Sequence, residues 1–376
     1  MTSLSLVMIV RDAATLLPAF FAHHAGLWDE AVVVDTGSTD GSAELAAGAG
    51  ALVLSHPWQD DFSAPRNAGL ATARGSCALL LDADERIAAC DFGAVRAAAA
   101  DTASAWLQET VNYCDERSHL EWRPVRGRYP VEEAGRSGYF LARRVGLFPL
   151  RDDIRFRGRI HESVLDDCRA AGVPVRNLDA PVHHYGYVLS KVVDERRRAL
   201  YERLAARKLA DDPRDWSARL EHATALLESG RAAEAAVQLA DLAAGPGHLR
   251  PVARGRFLLG RLRREAGDAS AAGELLQAAV RDDPSFLFGW IEWLRLLAAQ
   301  ERWTDLFAAL SDARAACGAD EPLLGREEIV ALVRTGQLDA ARALAGRLAS
   351  ACPGWPEMAA LSSRLDRVAG AGPGGE

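Results

Sequence analysis

The sequence predicts an α/β domain with a mixed, mainly parallel sheet, followed by an all-α domain built from helical repeats. In the first half, short apolar runs alternate with helix-length segments, a pattern typical of βαβ units. From about residue 191 the pattern is helical, and a turn recurs at intervals of roughly 35 residues. We therefore expect one domain over 1–190, a second over 191–366 and a disordered tail over 367–376.

The composition is that of a globular protein, with 49% apolar and 26% charged residues. The net charge of -8 argues against non-specific binding of nucleic acid. The six cysteines include no C-x-x-C pair, so we expect neither a zinc site nor disulfides, and a reducing, cytoplasmic setting. No apolar run is long enough to span a membrane, although peripheral contact with its inner face stays open.

The first half is expected to alternate strands and helices. Strands are expected over 5–10, 31–35, 52–54 and 78–81, and helices over 14–24, 43–49 and 64–73. Strands separated by helices favour parallel pairing. Beyond residue 103 the pattern changes, and three strands separated by polar stretches are expected over 106–112, 139–143 and 173–175. We interpret this part as an extension of the sheet that makes it mixed.

The second half contains a degenerate repeat. Its turn positions are Gly230, Gly267, Glu301 and Gly336, which are 37, 34 and 35 residues apart. Two helices per unit and a small residue at the turn resemble the tetratricopeptide, or TPR, repeat. Stacked repeats form a concave surface, on which we expect a protein or peptide partner.

The most informative segment is an apolar strand, Leu79 to Leu81, that ends in Asp82-Ala83-Asp84. Residues i and i+2 of a strand point to the same side, so both carboxylates are expected to face one ligand. Two carboxylates at the end of a strand suit a hard divalent cation that also holds a diphosphate. The alternative is an ordinary turn, in which Asp is common.

A second polar segment follows the strand that ends at Asp35. The residues after it, Gly37-Ser38-Thr39-Asp40-Gly41, form a turn rich in glycine and hydroxyl groups. An Asp at the end of a strand can accept hydrogen bonds from a base or a ribose, and the glycines let the backbone approach closely.

These motifs, in this order, resemble family 2 glycosyltransferases of the GT-A fold. The matching pieces are 8–12, 34–41, 57–67 with Arg66-Asn67, 81–85, 158–162 with His161-Glu162, and 184–187. The resemblance covers residues 1–190. The subgroup that the chain resembles most includes lipopolysaccharide-core glucosyltransferase-like proteins of the bacterial cell envelope and peptide S-glycosyltransferases, several with helical repeats.

The resemblance implies the roles of the site residues. A nucleotide sugar, expected to be a UDP-sugar, is bound by Val10, Asp12, Asp35, Ser38, Asp40, Arg66, Asn67, Asp82, Ala83 and Asp84. Asp84 is implied to bind Mn²⁺ or Mg²⁺ directly, and His184 to bind the metal ion or the diphosphate, while Asp82 holds ribose or a metal-bound water. One departure is Arg11-Asp12-Ala13, where relatives often have Lys-Asn-Glu.

The implied reaction is a metal-dependent, inverting transfer of the sugar to a glycan, lipid-linked or peptide acceptor. Glu162 is expected to act as the general base or to orient the acceptor, and Glu85 or Asp84 is the competing assignment. The alternative from another class is an inactive scaffold whose repeats bind a partner. A nucleotidyltransferase is disfavoured because Arg11-Asp12-Ala13-Ala14 is not a glycine-rich loop.

Arginines dominate residues 117–159, which hold 11 Arg against five acidic residues. This segment is interpreted either as a cover or anion seat at the diphosphate or as a solvated charged loop. For Arg66, the structural alternative to ligand binding is a salt bridge with Asp60 or Asp61.

Overall fold

The computed structural model describes residues 3–117, 119–189 and 195–370 and divides the chain into two compact units. The first unit comprises residues 1–116 and 129–193, and the second comprises 117–128 and 194–376. The predicted boundary at 190–191 and residues 371–376 of the predicted tail lie outside the described residues. That a short internal segment, 117–128, belongs to the second unit was not predicted from the sequence.

The strands within the described part of the chain are β1 (Leu4–Val10), β2 (Glu30–Asp35), β3 (Leu52–Ser55), β4 (Cys77–Leu80), β5 (Glu85–Ile87), β6 (Ala105–Tyr113), β7 (Arg123–Pro124), β8 (Gly138–Pro149) and β9 (Val175–His184). The helices of the first unit are α1 (Leu17–His23), α2 (Ser42–Gly48), α3 (Ser63–Thr72), α4 (Phe92–Ala100), α5 (Leu165–Ala170) and α6 (Gly186–Leu189).

The first unit is built on one mixed sheet with the strand order β3-β2-β1-β4-β8-β6-β9-β5. The strands β3, β2, β1 and β4 pair parallel to one another, as the βαβ pattern predicts. β8 joins this half by running antiparallel to β4 and to β6, and β9 lies parallel to β6 and antiparallel to β5. The predicted α/β fold class with a mixed sheet is confirmed.

Both faces of the sheet are covered, because successive side chains of a strand point to opposite sides. On β1, Leu6 and Met8 join one apolar cluster while Val7 joins the cluster on the other face. α3 packs closely on that second face, since a Cβ on Gly69 would lie 2.7 Å from a methyl of Val7. This close packing brings the inner side of α3 to the carboxyl ends of the strands.

The second unit is helical. Its helices are α7 (Glu195–Asp211), α8 (Trp216–Glu228), α9 (Ala232–Ala243), α10 (Arg250–Glu265), α11 (Ala269–Asp282), α12 (Leu287–Ala299), α13 (Trp303–Cys317), α14 (Pro322–Arg334), α15 (Leu338–Ala351) and α16 (Pro356–Gly370). Consecutive helices pack against one another around one apolar core. The predicted all-α, TPR-like region is confirmed.

The four predicted turn positions share one backbone conformation. The φ angles are 75° at Gly230, 84° at Gly267, 55° at Glu301 and 78° at Gly336, all in the left-handed region. In each turn the next residue donates its N–H to a carbonyl five residues back, for example Arg231 to Leu226 at 2.8 Å. This is the Schellman end of a helix, which explains why glycine recurs there.

Residues 117–128 lie against helices of the second unit. Trp122 is 6% exposed and its ring centre lies 6.2 Å from that of Trp355. Arg123 and Arg126 both form ion pairs with Glu321, at 3.2 and 3.4 Å. This arginine-rich segment is therefore an integral part of the helical unit's packing.

Several predicted elements differ from the structure. The strand predicted over 173–175 begins only at Val175 and continues to His184, and its burial does not alternate, since Arg176 and Asn177 are exposed and the four residues 180–183 are all buried. Residues 367–370, assigned to the tail, belong to α16. None of the helices in the described ranges is both long and apolar enough to cross a membrane.

Candidate functional site

The loops after β1 and β2 are joined by hydrogen bonds at the carboxyl end of the sheet. The N–H of Asp12 donates to Ser38 Oγ at 2.9 Å, and the N–H of Thr39 donates back to Asp12 Oδ1 at 2.8 Å. Asp40 accepts from the N–H of Ala14 at 2.9 Å. These bonds, which involve three of the predicted nucleotide-binding residues, fix the rim beside the end of β1.

Asp35 is the last residue of β2 and is 9% exposed. Its carboxylate accepts from the N–H of Ser38 at 3.1 Å and from the Ser38 hydroxyl. Val10 is its register partner on β1 and is also buried. The predicted base or ribose contacts of these three residues stay a prediction, but the structure places them side by side at one sheet edge.

Asp82, Ala83 and Asp84 do not lie on a strand. β4 ends at Leu80, and the three residues form a turn in which the N–H of Glu85 donates to Asp82 O at 3.0 Å. The i, i+2 periodicity of a strand therefore does not apply to the carboxylates, and the expectation that both face one ligand for that reason is wrong. In the turn the two side chains take different partners.

Glu85 holds this turn in place and is itself buried, at 3% exposure. Its carboxylate accepts from the N–H of Asp82 at 2.8 Å and from Arg144 Nη2 at 2.5 Å. Arg144, on β8, also donates to Leu80 O at 3.3 Å. Glu85 is thus paired with an arginine, and its role as the competing candidate for the base stays a prediction.

Arg66 connects two of the predicted site carboxylates from the inner side of α3. Its two Nη atoms lie 3.3 and 3.2 Å from the Asp82 oxygens, and its Nε lies 2.5 Å from Glu162 Oε1. The proposed alternative partners, Asp60 and Asp61, are not the ones it uses. Burial alone would lower the pKa of Arg66, but the charges of Asp82 and Glu162 outweigh it and raise the pKa.

The ion pair with Arg66 also changes the pKa of Asp82. Burial alone would raise the pKa of Asp82, but the positive charges of Arg66 and Arg144 outweigh it and lower the pKa. The carboxylate is therefore held ionised beside the two guanidinium groups. Glu162, in the loop between β8 and α5, has only 11% of its side chain exposed.

The side-chain amide of Asn67 forms two hydrogen bonds with the backbone of Phe156. Its Nδ2 donates to Phe156 O at 3.1 Å, and the N–H of Phe156 donates to its Oδ1 at 2.8 Å. The side chain thus ties α3 to the segment that precedes Glu162. The predicted contact with sugar or diphosphate remains untested, and this pairing gives Asn67 a second role.

His184 and Asp84 meet at the point where β9 ends beside the turn. His184 Nε2 lies 3.2 Å from Asp84 Oδ2, and the N–H of Tyr185 donates to Asp84 O at 3.0 Å. Burial alone would lower the pKa of His184, but the hydrogen bond and charge of Asp84 outweigh it and raise the pKa. The pair therefore favours a cation between its two atoms, either a proton or a metal ion.

The space beside this pair is kept open by a glycine. A Cβ on Gly186 would lie 2.6 Å from His184 Nε2 and 2.7 Å from Asp84 Oδ2, so any other residue would fill it. A carboxylate oxygen together with an imidazole nitrogen suits Mn²⁺ better than Mg²⁺, which prefers oxygen ligands. Among the residues that the structure describes, no group of three or more His, Cys, Asp or Glu side chains is placed to hold a metal ion.

Several arginines of residues 117–159 have carboxylate partners. Arg143 pairs across the sheet with Glu109 at 2.6 Å, while Arg151 pairs within its own segment with Asp153 at 2.6 Å. Arg123 and Arg126 belong to the second unit. Both interpretations of this segment, an anion seat at the diphosphate and a solvated charged loop, stay predictions.

The chain is similar to known proteins in both of its parts. A family model described as Glycosyl transferase family 2 matches residues 5–164. A protein of Synechococcus elongatus described as a TPR repeat-containing protein is 33% identical over 307 residues, which cover 79% of this chain and 70% of that protein. The family match supports a glycosyltransferase. Residues 5–164 form a glycosyltransferase family 2 domain, a TPR-like region follows it, and the predicted resemblance is confirmed.

Solved structures also show similarity. A TPR protein of Thermus thermophilus has a TM-score of 0.35 and 20% identity, covering 45% of this chain and 90% of that one. PilF of Pseudomonas aeruginosa has a TM-score of 0.38 and 18% identity, covering 45% of this chain and 76% of that one. Because these TM-scores are low, the description of the second unit as helical repeats rests on the packing of its own consecutive helices.

Proposed function

We propose that the chain transfers a sugar, with inversion, from a nucleotide sugar, in the first instance a UDP-sugar, to a glycan, lipid-linked or peptide acceptor. The observation that carries the proposal is the convergence of Asp82, Asp84, His184, Arg66 and Glu162 at the carboxyl end of the sheet. In open α/β sheets, ligands bind at this edge. The loops that carry Asp12, Asp35 and Ser38 adjoin it and offer acceptors for a base and a ribose.

Asp84 and His184 would hold Mn²⁺ or Mg²⁺ together with the diphosphate. Such an ion, when bound, neutralises the charge that develops on the leaving nucleoside diphosphate. Two protein ligands leave the other positions to phosphate oxygens and water, as is usual where a cation recognises a nucleotide. Arg66 keeps Asp82 ionised and in place beside this site.

Glu162 is proposed as the catalytic carboxylate on the acceptor side. An attacking hydroxyl or thiol must lose its proton, and a positioned carboxylate can accept it. In the structure Glu162 Oε1 lies 2.5 Å from Arg66 Nε, so this contact occupies an oxygen that would take the proton. The role as base therefore requires Glu162 to leave Arg66 when donor and acceptor are bound; a role in orienting the acceptor does not.

The second candidate, an inactive scaffold, is favoured by the same ion pair, because it occupies the carboxylate that the reaction needs. In that case the repeats alone would act, through a protein or peptide partner on their concave surface. The reducing cytoplasm is the proposed place of action for either function, with contact at the inner face of the membrane as an open option.

The test is the release of UDP from a panel of UDP-sugars with Mn²⁺, with Mg²⁺ and with EDTA. The proposal expects metal-dependent release from at least one sugar, and a decrease of at least about 100-fold for Glu162→Gln. Release that persists in EDTA would contradict the metal assignment. Absence of both release and nucleotide binding, measured by calorimetry, would favour the scaffold.

A further inference from the structure

A buried asparagine on β6, Asn112, forms a hydrogen bond with the imidazole ring of His184. Asn112 is 5% exposed and is the register partner of His184 in the parallel pair of β6 and β9. Its Oδ1 lies 2.7 Å from His184 Nδ1, the ring nitrogen on the side away from Asp84. Asn112 lies outside the motifs by which the chain resembles family 2 glycosyltransferases, so no role was expected for it.

The orientation of the Asn112 amide is set by its other contacts. Its Nδ2 donates to Thr110 O at 3.2 Å and to Phe140 O at 3.4 Å. Both partners are carbonyl oxygens, which only accept hydrogen bonds, so the NH₂ group must face them. The Oδ1 atom consequently faces His184, and because this oxygen also only accepts, Nδ1 must carry a hydrogen.

This arrangement determines which imidazole nitrogen is available to a ligand. A neutral imidazole carries one N–H, so a hydrogen on Nδ1 leaves a lone pair on Nε2. That lone pair faces Asp84 Oδ2 at 3.2 Å. Two acceptors at this separation repel one another unless a cation lies between them, and Gly186 leaves the space for one.

We infer that Asn112 is a positioning residue that fixes the Nδ1–H form of His184, so that Nε2 is ready to bind the metal ion with Asp84. The inference rests on the proposed function of this site. Outer partners of this kind orient metal-bound histidines and raise their affinity for the ion. Asn112 does not touch the ion or the substrate, and it acts through His184.

The test is Mn²⁺ binding to the full-length chain in the presence of UDP, measured by electron paramagnetic resonance against a sample of UDP and Mn²⁺ without protein. Asn112→Leu removes the acceptor and should weaken binding about 10- to 100-fold. Asn112→Asp keeps an oxygen facing Nδ1 and should weaken binding less than Asn112→Leu does, although its second oxygen faces the two carbonyls that the amide contacts. The matched control is Gln108→Leu, since Gln108 is a buried amide on the same strand that donates to Ala180 O and should not affect binding.

If Asn112 only stabilised the fold, the effects of the two substitutions on Mn²⁺ binding would rank differently. Asn112→Asp would then weaken Mn²⁺ binding as much as Asn112→Leu, and that result, or an unchanged Asn112→Leu, overturns the inference. If the parent chain itself does not bind Mn²⁺ while UDP still binds, the metal part of the proposed function fails, and the inference falls with it.

A second measurement uses the parent chain and so does not depend on whether a variant folds. In the parent chain labelled with ¹⁵N-histidine and loaded with Zn²⁺ as a diamagnetic probe, nuclear magnetic resonance shows which ring nitrogen of His184 carries hydrogen. The inference expects hydrogen on Nδ1 and the metal on Nε2. The reverse assignment overturns it.

Discussion

At the scale of single residues, the site depends on one guanidinium between two carboxylates. Arg66 is 7% exposed and contacts both Asp82 and Glu162. When one partner of a buried ion pair is removed, the charge that remains has no counter-charge. The free-energy cost of this unpaired charge is larger than the net stabilisation that the intact pair provides. Arg66 therefore serves folding and the geometry of the site at once.

Arg66→Met is expected to destabilise the first unit by about 3 to 5 kcal/mol, since it leaves Asp82 and Glu162 without their cation. The measurement is urea unfolding of the full chain. Arg74→Met is the control, because Arg74 is exposed just after α3 and its loss should change the stability by less than about 0.5 kcal/mol. Equal effects of the two substitutions would contradict the account.

A buried histidine makes the first unit sensitive to acid. His24 is fully buried, and its Nδ1–H donates to Phe20 O at 2.9 Å while Nε2 accepts from the N–H of Ile87 at 3.1 Å. Burial lowers the pKa of His24 to about 4, and the positive charges of His23 and Arg86 act in the same direction. The folded state therefore keeps this ring neutral where the unfolded chain would protonate it.

The sign of the effect follows from proton uptake. Between pH 6.5 and about 4 the unfolded state binds a proton at His24 that the folded state does not, so stability falls as the pH falls. We expect His24 to account for a loss of ~2 kcal/mol between pH 7 and 4.5. His24→Gln, which keeps a donor and an acceptor, should remove this part of the pH dependence in denaturant unfolding, and exposed His248→Gln should not.

At the scale of elements, the repeat turns follow one geometry with one exception. Gly230, Gly267 and Gly336 occupy the left-handed position as glycine, but Glu301 occupies it with a side chain, at φ 55°. The left-handed conformation costs an L-residue with a Cβ roughly 1 to 2 kcal/mol. The third turn is therefore strained relative to the other three.

Glu301→Gly should stabilise the second unit by about 0.5 to 1 kcal/mol, because relief of the strain exceeds the entropy that glycine adds to the unfolded chain. The matched change in the opposite direction is Gly267→Ala, where a Cβ would meet no atom within 4 Å, so only the backbone is affected. It should destabilise the unit by about 1 kcal/mol. Thermal unfolding measures both, and destabilisation by Glu301→Gly would refute the account.

The same elements show what the sequence could and could not predict. Regular periodicity identified β1 to β4, their helices and the repeat turns, because each depends on local pattern. It failed at Asp82 to Asp84, where a short run did not reveal that the strand ends at Leu80. Asn112 and Arg144 carry no motif, and only the register of β6, β8 and β9 brings them to the site. Such pairing depends on contacts between distant residues.

At the scale of the whole molecule, the chain order does not coincide with the division into units. Residues 117–128 lie within the sequence of the first unit but pack in the second. Trp122 lies in the second unit's apolar core, and Glu121 forms an ion pair with Arg254. These residues have the composition of a surface loop, which concealed the role of Trp122.

Trp122→Ala should destabilise the helical unit by about 3 kcal/mol, since a large buried ring is lost from its core. Leu120→Ala is the control in the same segment, because Leu120 is 39% exposed and should cost less than about 0.5 kcal/mol. Urea unfolding followed by circular dichroism at the helical band reports on this unit. A Trp122→Ala variant as stable as Leu120→Ala would show that the segment does not contribute to it.

The end of the sheet around Asp84 and His184 is proposed to bind the diphosphate of a nucleotide through a divalent cation. The decisive experiment is a calorimetric titration of UDP into the full chain, with Mn²⁺ and with EDTA, repeated on Asp84→Asn. The parent should bind UDP at least about 10-fold more tightly with Mn²⁺ than without, and Asp84→Asn should lose this difference. Metal-independent binding of UDP by the parent, or an unchanged Mn²⁺ effect in Asp84→Asn, would contradict it.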